Sequence, residues 1–265
     1  MTSNTAVAHA EIRGDGHETI VLLHGIGGSW QVSEYQLAEW SKKYRVVAWD
    51  MPGYGNSAAL DEMTFEALAE SLKALIDSIG AQHIILVAHS MGGMVAQTFV
   101  AIYPERVTRL VLLSTSPAFG SDSAEGKKFR EKFVAERIKP LDEGKTPADM
   151  AEAAMTSMVG DNPDSRGLQM AIDSMARISG ETYRQAVSCL ATFDRSADLH
   201  RIGMPTLCIG GQRDKVTPRG TVARMAMKIP RAQFILIEGA GHLPNIEQPK
   251  LFNSIVESYL DETRL

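Results

Sequence analysis

Ile84-Ile85-Leu86-Val87-Ala88-His89-Ser90-Met91-Gly92-Gly93 is the stretch whose reading decides the fold. A run of branched apolar residues stops at a serine set among small residues, and a helix-like stretch follows at once. That is the local shape of a nucleophile elbow, a strained strand-to-helix turn that lifts a serine hydroxyl clear of its neighbours. The strain forbids bulk two positions before and after the serine, and Ala88 and Gly92 satisfy it. The usual pattern is G-x-S-x-G and this chain has A-x-S-x-G. A pentapeptide of this kind arises by chance in many chains, so its meaning depends on what surrounds it.

Outward from Ser90, strands and helices alternate. Thr19–Leu23 is a continuous apolar run ending at His24-Gly25, residues 44–49 form another ending at Asp50, and Val107–Leu113 is a further strand. Runs this apolar, without alternation, suit a parallel sheet covered on both faces. Between Thr64 and Gly80, Phe65, Leu68, Leu72, Leu75, Ile76 and Ile79 recur at helical spacing, with Thr64 as N-cap and Gly80 as stop. The helix after Ser90 is expected to bury Met94, Val95, Phe99 and Ile102 before Pro104. From Pro117 to about Arg195 the chain is rich in charge and Met, with helical spacing and breaks at Leu141-Asp142-Glu143-Gly144 and Gly160-Asp161-Asn162-Pro163. Strands resume at 205–209 and 233–237. Thr217-Pro218 opens the helix between them, with Thr217 as N-cap and Pro218 at the first helical position. A last helix follows Pro249, with Leu251, Phe252, Ile255, Val256 and Tyr259 on one face. The expected architecture is α/β, a mostly parallel doubly wound sheet with a helical cap insertion at 117–195; residues 1–116 and 196–265 form the core.

The 265 residues, 44% hydrophobic and 22% charged, suit one α/β domain with an insertion. A formal net charge of −5 argues against nucleic acid as a partner, because phosphate binding needs clustered positive charge. Cys189 and Cys208 are too few for a disulfide framework and read as buried small hydrophobes in a reducing compartment. Residues 1–10 have no apolar segment of signal-peptide type. No uninterrupted apolar run approaches the roughly 18 residues that would span a bilayer. The expectation is a soluble, cytoplasmic protein without a membrane partner. Its oligomeric state is not written in the sequence.

A serine hydroxyl is a poor nucleophile until a base takes its proton, and the base needs an orienting carboxylate. Asp214 follows the 205–209 strand in Gly210-Gly211-Gln212-Arg213-Asp214-Lys215-Val216-Thr217-Pro218, and His242 follows the 233–237 strand in Gly239-Ala240-Gly241-His242-Leu243-Pro244. The bland alternatives are a solvated turn or cap for Asp214 and an ordinary loop histidine for His242. Both residues standing after later strand ends, in the order Ser…Asp…His, favours the chemical reading. His9, His17, His83 and His200 have no motif around them, and His89 is expected to point to the opposite side of its strand and pack. No H-E-x-x-H or Cys/His pairing points to a metal, and no cofactor is implied. For the oxyanion of a tetrahedral intermediate, the donors expected are the backbone N–H groups of Met91 and Ile26, with Gly27 as the alternative to Ile26. Gly25-Ile26-Gly27 could also open a dinucleotide fingerprint, which fails at its third glycine, where Trp30 stands. Gly144-Lys145-Thr146 suggests a phosphate loop, but Lys139 occupies the earlier glycine position and no strand precedes it.

Together, His24-Gly25, Asp50-Met51-Pro52-Gly53-Tyr54-Gly55-Asn56-Ser57, Ser90-Met91-Gly92-Gly93, Gly211-Gln212-Arg213-Asp214 and the His242 segment resemble the α/β-hydrolase family, from about Thr19 to the C-terminus. The resemblance implies Ser90 as nucleophile, His242 as base and Asp214 as orienting acid. The departures are Ala88 at the first elbow glycine, and one early strand where the family often has a hairpin. The closing segment Gly241-His242-Leu243-Pro244-Asn245-Ile246-Glu247-Gln248-Pro249 is similar to 3-oxoadipate enol-lactonases, with Pro244 in place of their usual Ser.

These features imply a small-molecule substrate and hydrolysis of a carboxylic ester or (enol-)lactone through an acyl-enzyme. Carbon–carbon hydrolases of aromatic ring-cleavage products share the triad and the Ser-Met-Gly-Gly run, but often have an aromatic residue where this chain has Leu243. A third possibility is a non-catalytic receptor on the same fold, against which an intact triad argues. Substrate contacts are expected from Gly25, Gly27, Trp30, Phe119, Met155, Met158 and Met175; ordinary core packing is the alternative for each apolar side chain and the favoured reading for the cap methionines. Arg130, Arg137, Arg166, Arg177 and Arg184 include candidates for binding a substrate carboxylate, and the sequence singles out none.

Overall fold

A computed structural model describes residues 7–121 and 123–264. Of the stretch read for a leader, residues 1–6 lie outside the described residues. The chain first forms β1 (Ala10–Arg13), β2 (Thr19–Leu23), α1 (Glu34–Trp40) and β3 (Arg45–Trp49). It continues through α2 (Phe65–Ser78), β4 (Ile84–His89), α3 (Met91–Ile102) and β5 (Val107–Leu113). Four helices then stand before the next strand: α4 (Ala124–Asp142), α5 (Pro147–Met158), α6 (Ser165–Ala176) and α7 (Gly180–Leu190). The chain closes with β6 (Thr206–Gly211), α8 (Arg219–Ala226), β7 (Ala232–Ile237), α9 (Pro244–Glu247) and α10 (Pro249–Glu262).

The seven strands form one sheet in the order β1-β3-β2-β4-β5-β6-β7, and only β1 runs antiparallel, against β3. The order reverses beside β2, which pairs with β3 on one side and β4 on the other. The carboxyl ends of β2 and β4 therefore meet at a topological switch point, where open α/β sheets place their ligands.

Because successive side chains leave a strand on opposite faces, the continuous apolar runs feed two separate cores. Val21, Leu23, Leu86, Ala88, Leu110 and Leu112 pack with α2, α3 and the inserted helices. Their neighbours Ile20, Leu22, Ile85, Val87, Val111 and Leu113 pack with Leu37 and Trp40 of α1 and Phe252, Val256 and Tyr259 of α10. Local signals set the helix ends. The Thr64 hydroxyl accepts the Ala67 N–H at the start of α2, and Gly80 takes the left-handed conformation just beyond its end (φ +70°).

The inserted helices form a cap, and the chain enters and leaves it side by side. Phe119 N–H donates to the Phe193 carbonyl at 2.8 Å, and Arg195 N–H to that of Pro117 at 2.7 Å. Three expectations need correction. Ile102 and Leu251 are exposed, at 40% and 46%, because each sits at a helix end where the apolar stripe has already rotated out of the core. The N-cap position of α8 falls on Pro218, not Thr217, and carries no side-chain cap. The Thr217 N–H is instead drawn back to the Asp214 carboxylate.

Candidate active site

Ser90 lies between β4 and α3 with φ +51° and ψ −117°, a conformation that side chains avoid unless their surroundings impose it. The imposition is visible on both sides. The Ser90 N–H donates to the Leu113 carbonyl of β5 at 2.9 Å, and its own carbonyl accepts the Thr115 hydroxyl at 2.8 Å. A Cβ on Gly92 would come within 2.6 Å of the His24 carbonyl oxygen and 2.7 Å of that of Leu23, so no larger residue fits there. Ala88 is buried without such a conflict, which explains how it stands in for glycine.

Ser90 stands 152 residues before His242 and Asp214 stands 28 before it, and the sheet gathers the three. His242 Nε2 lies 3.0 Å from Ser90 Oγ, and His242 Nδ1 lies 2.9 Å from Asp214 Oδ2. Asp214 Oδ1 accepts the N–H groups of Val216 and Thr217, each at 2.8 Å. Both carboxylate oxygens are thus occupied, and the residue is buried. This pins the carboxylate against the ring and selects the tautomer with Nδ1 protonated, which leaves Nε2 free to accept from the serine.

The loop after β2 faces the serine. Met91 N–H opens α3, where helix geometry leaves it without an intrahelical partner. Neither it nor the Ile26 N–H has a hydrogen-bond partner among the described residues. His24 braces the loop: its Nδ1–H donates to the Gly25 carbonyl at 2.8 Å while Nε2 accepts the Met51 N–H at 3.0 Å. Burial pushes its pKa below the ordinary value, as the neutral form required by this pair of bonds demands. Asp50 ties the same loop from behind, accepting the Trp30 N–H on Oδ1 and the Asn56 N–H on Oδ2; His9 Nδ1 lies 2.8 Å from that second oxygen.

A cavity of about 280 Å³ opens over Ser90. Gly25, Ile26, Gly27, Phe119, Met155, Met158 and Met175 line it. Trp30 does not. Its backbone is held by Asp50, its ring packs on the α1/α10 side of the sheet, and the Arg13 guanidinium lies 5.8 Å above it. A short 3-10 helix starting at Trp30 turns the side chain away from the cavity.

Sequence reasoning also missed two residues. His89 was expected to pack away from the site, yet it lines the cavity, its ring 4.9 Å from that of His242. Its Nε2–H donates to the His242 carbonyl oxygen at 2.8 Å. Burial first, and the neighbouring His242 second, push its pKa down to about 3. His89 still pairs with Leu113 of β5, but as the last residue of β4 its side chain borders the cavity at the strand end. Glu247 is the other. Its buried carboxylate accepts the N–H groups of Gly241 (2.8 Å), Leu243 (2.8 Å) and Gly160 (2.7 Å), clamping both neighbours of His242 and the end of α5. The His242 N–H donates to the Met158 carbonyl at 2.7 Å, so the histidine loop is anchored to the cap. The Asn-Ile-Glu-Gln-Pro run carried the signal, but only as part of a resemblance.

No cluster of three or more His, Cys, Asp or Glu side chains suited to a metal exists among the described residues, and none of the described helices is long and apolar enough to cross a membrane.

This fold and this serine–histidine–aspartate geometry define a class, and comparison with known proteins agrees: the α/β-hydrolase fold profile matches residues 18–249, and the chain belongs to that family. Among relatives, it is 30% identical over 241 residues to the pimeloyl-(acyl-carrier protein) methyl ester esterase of Klebsiella pneumoniae, covering 90% of this chain and 92% of that one. It is 26% identical over 247 residues to 3-oxoadipate enol-lactonase 2 of Acinetobacter baylyi, covering 91% and 88%. Among solved structures, a thermophilic esterase from Thermogutta terrifontis superposes with a TM-score of 0.83 at 29% identity, covering 97% of this chain and 94% of that one. These three are two esterases and an enol-lactonase, and the chain is a hydrolase of this fold acting on a small molecule.

Proposed function

We propose that the protein is a serine hydrolase that cleaves a carboxylic ester or lactone of a small organic acid through an acyl-enzyme. The observation that carries this reading is the unbroken chain Asp214–His242–Ser90, with contacts of 2.9 and 3.0 Å, at the floor of a largely apolar cavity. His242 Nε2 takes the Ser90 proton as Oγ attacks the carbonyl carbon. The N–H groups of Met91 and Ile26 receive the developing oxyanion, and Asp214 stabilises the imidazolium. Collapse expels the alcohol, which takes the proton from His242. Water, deprotonated by His242, then releases the acid and restores Ser90. Residues 117–195 act as the cap that roofs the cavity and excludes bulk water. The esterase and enol-lactonase relatives act on the same bond class, which favours this reading over carbon–carbon cleavage.

The test is a Ser90→Ala variant assayed on short p-nitrophenyl esters and an enol-lactone, with a serine-reactive fluorophosphonate applied to both proteins. The wild type should turn over one of them and label at Ser90, and the variant should do neither. Retained turnover in the variant would overturn the assignment.

A further inference from the structure

The peptide that joins His242 to Leu243 is held at both of its polar ends. Its N–H donates to Glu247 Oε1 at 2.8 Å, and its carbonyl oxygen accepts His89 Nε2–H, also at 2.8 Å. The first tie is local, four residues along the chain. The second crosses 153 residues to the end of β4, the strand that carries the nucleophile.

Another edge of the same imidazole abuts the loop after β2. A Cβ on Gly25 would stand 3.0 Å from His89 Nδ1 and 3.2 Å from its Cε1, so not even a methyl group fits between ring and loop. Gly25 is itself fixed, its carbonyl accepting His24 Nδ1–H at 2.8 Å and the Gly28 N–H at 3.0 Å. Ile26, the next residue, carries the N–H assigned to the oxyanion. One flat side chain with few rotatable bonds therefore runs from the backbone of the base to the backbone of the oxyanion loop.

Nε2 faces a carbonyl and so carries the ring proton, while Nδ1 has no hydrogen-bond partner among the described residues. Burial first, and His242 second, keep the ring neutral, with its pKa pushed down to about 3. Neutrality matters at a centroid separation of 4.9 Å, because a charged His89 would oppose the imidazolium that His242 becomes during attack. A group that stays neutral through the working pH range carries no proton in the reaction. What it supplies is position.

We propose that His89 is a positioning residue whose ring sets the separation between the base His242 and the oxyanion loop at Gly25-Ile26, so that both act on the same carbonyl group. This proposal rests on the hydrolase reading above.

The test compares His89→Leu, His89→Gln and His89→Asn on a short p-nitrophenyl ester, with kcat referred to the Ser90 sites that a fluorophosphonate labels. Leu keeps the bulk and removes the donor. Gln keeps an N–H near the place of Nε2, and Asn, one methylene shorter, withdraws it. In Leu and Asn kcat should fall roughly 10–100-fold with KM within about threefold of wild type, as misalignment of reacting groups implies. Gln should bring kcat back to within about fivefold of wild type. Inhibition by an alkylboronic acid, which forms a tetrahedral adduct with serine, should weaken in parallel with kcat/KM across the series. The acid limb of kcat/KM should stay in place in Gln, because that limb reports His242. A kcat within about twofold of wild type in both Leu and Asn overturns the proposal, as does a loss confined to KM or an equal loss in Gln and Asn. A displaced acid limb in Gln would make His89 part of the titrating machinery and also overturns it. Asn and Gln are both polar amides, so their comparison stands even if the Leu variant fails to fold. Failure of the hydrolase reading would show separately, as a wild type that neither turns over the ester nor labels, and the proposal falls with it.

Discussion

Replacing Glu247 with Gln changes one oxygen to an NH2 group while keeping the shape of the side chain. The wild-type carboxylate accepts three backbone N–H groups, two on Oε2 from Gly160 and Gly241 and one on Oε1 from Leu243. Gln has a single acceptor atom. Turned one way, its oxygen serves Gly160 and Gly241 while its NH2 faces the Leu243 N–H. Turned the other way, two donors are left facing the NH2. At least one buried N–H loses its partner, at about 1–3 kcal/mol, and the remaining bonds lose roughly 1 kcal/mol each in exchanging a charged acceptor for a neutral one. Burying an amide costs less than burying a carboxylate, which offsets part of this loss. The expected net destabilisation is about 3 kcal/mol, or a fall in Tm of about 6–12 °C for a chain of this size. Two of the three donors, Gly241 and Leu243, bracket His242, so the loosened loop should also misplace Nε2 relative to Ser90 Oγ. A displacement of that kind lowers kcat by roughly 10–100-fold, with KM little changed. Calorimetry and steady-state kinetics on a short p-nitrophenyl ester read both effects. A variant whose Tm stays within about 2 °C of wild type, with unaltered kcat, would refute the assignment of Glu247 as the clamp of the histidine loop.

Three further outcomes are expected. Asp214→Asn removes the acceptor that selects the His242 tautomer and should lower kcat on the order of 10³–10⁴-fold at pH 8; a loss under tenfold would count against the role given to Asp214. Gly25→Ala places a Cβ 2.9 Å from Ser90 Cβ and 3.0 Å from His89 Nδ1. Turnover should fall at least roughly tenfold with a stability loss of about 1–3 kcal/mol, and full activity would show that the loop can withdraw. The third concerns pH. The folded protein holds His24 and His89 neutral, His89 down to about 3, whereas the unfolded chain protonates histidine near 6.5. Below pH 6.5 the unfolded state therefore binds more protons, so stability rises with pH through this window and falls as the solution is acidified. Between pH 6.5 and 5, His89 alone should account for a loss of about 1–2 kcal/mol after allowing for its partial exposure, with His24 acting in the same direction. Urea unfolding at the two pH values measures it. The difference should shrink in His89→Gln, and a flat wild-type profile would contradict the neutral assignment.

Much of the fold was legible because its signals are local. Thr19–Leu23 is legible as a strand from its short run of branched apolar residues, and α2 is marked at both ends by Thr64 and Gly80. Ile102 and Leu251 misled because periodicity places a residue on a helix face but does not say where the neighbouring layer ends. Trp30 and His89 misled for a related reason. His89 is still paired in the sheet but ends its strand beside the cavity, and Trp30 opens a 3-10 helix beyond the loop after β2. Strand alternation does not report the relation of either to the cavity.

Sequence by itself determined the α/β class, the strand ends, and the order in which Ser90, Asp214 and His242 follow them. These depend on contiguous apolar runs, small residues at one tight turn, and loop residues next to strand termini. Tertiary structure alone decided that His89 lines the cavity beside His242, which carboxylate clamps the histidine loop, and which of the five cap arginines, Arg137, lines the cavity. Those choices rest on how loops from different strands and helices pack together, which no spacing along the chain records.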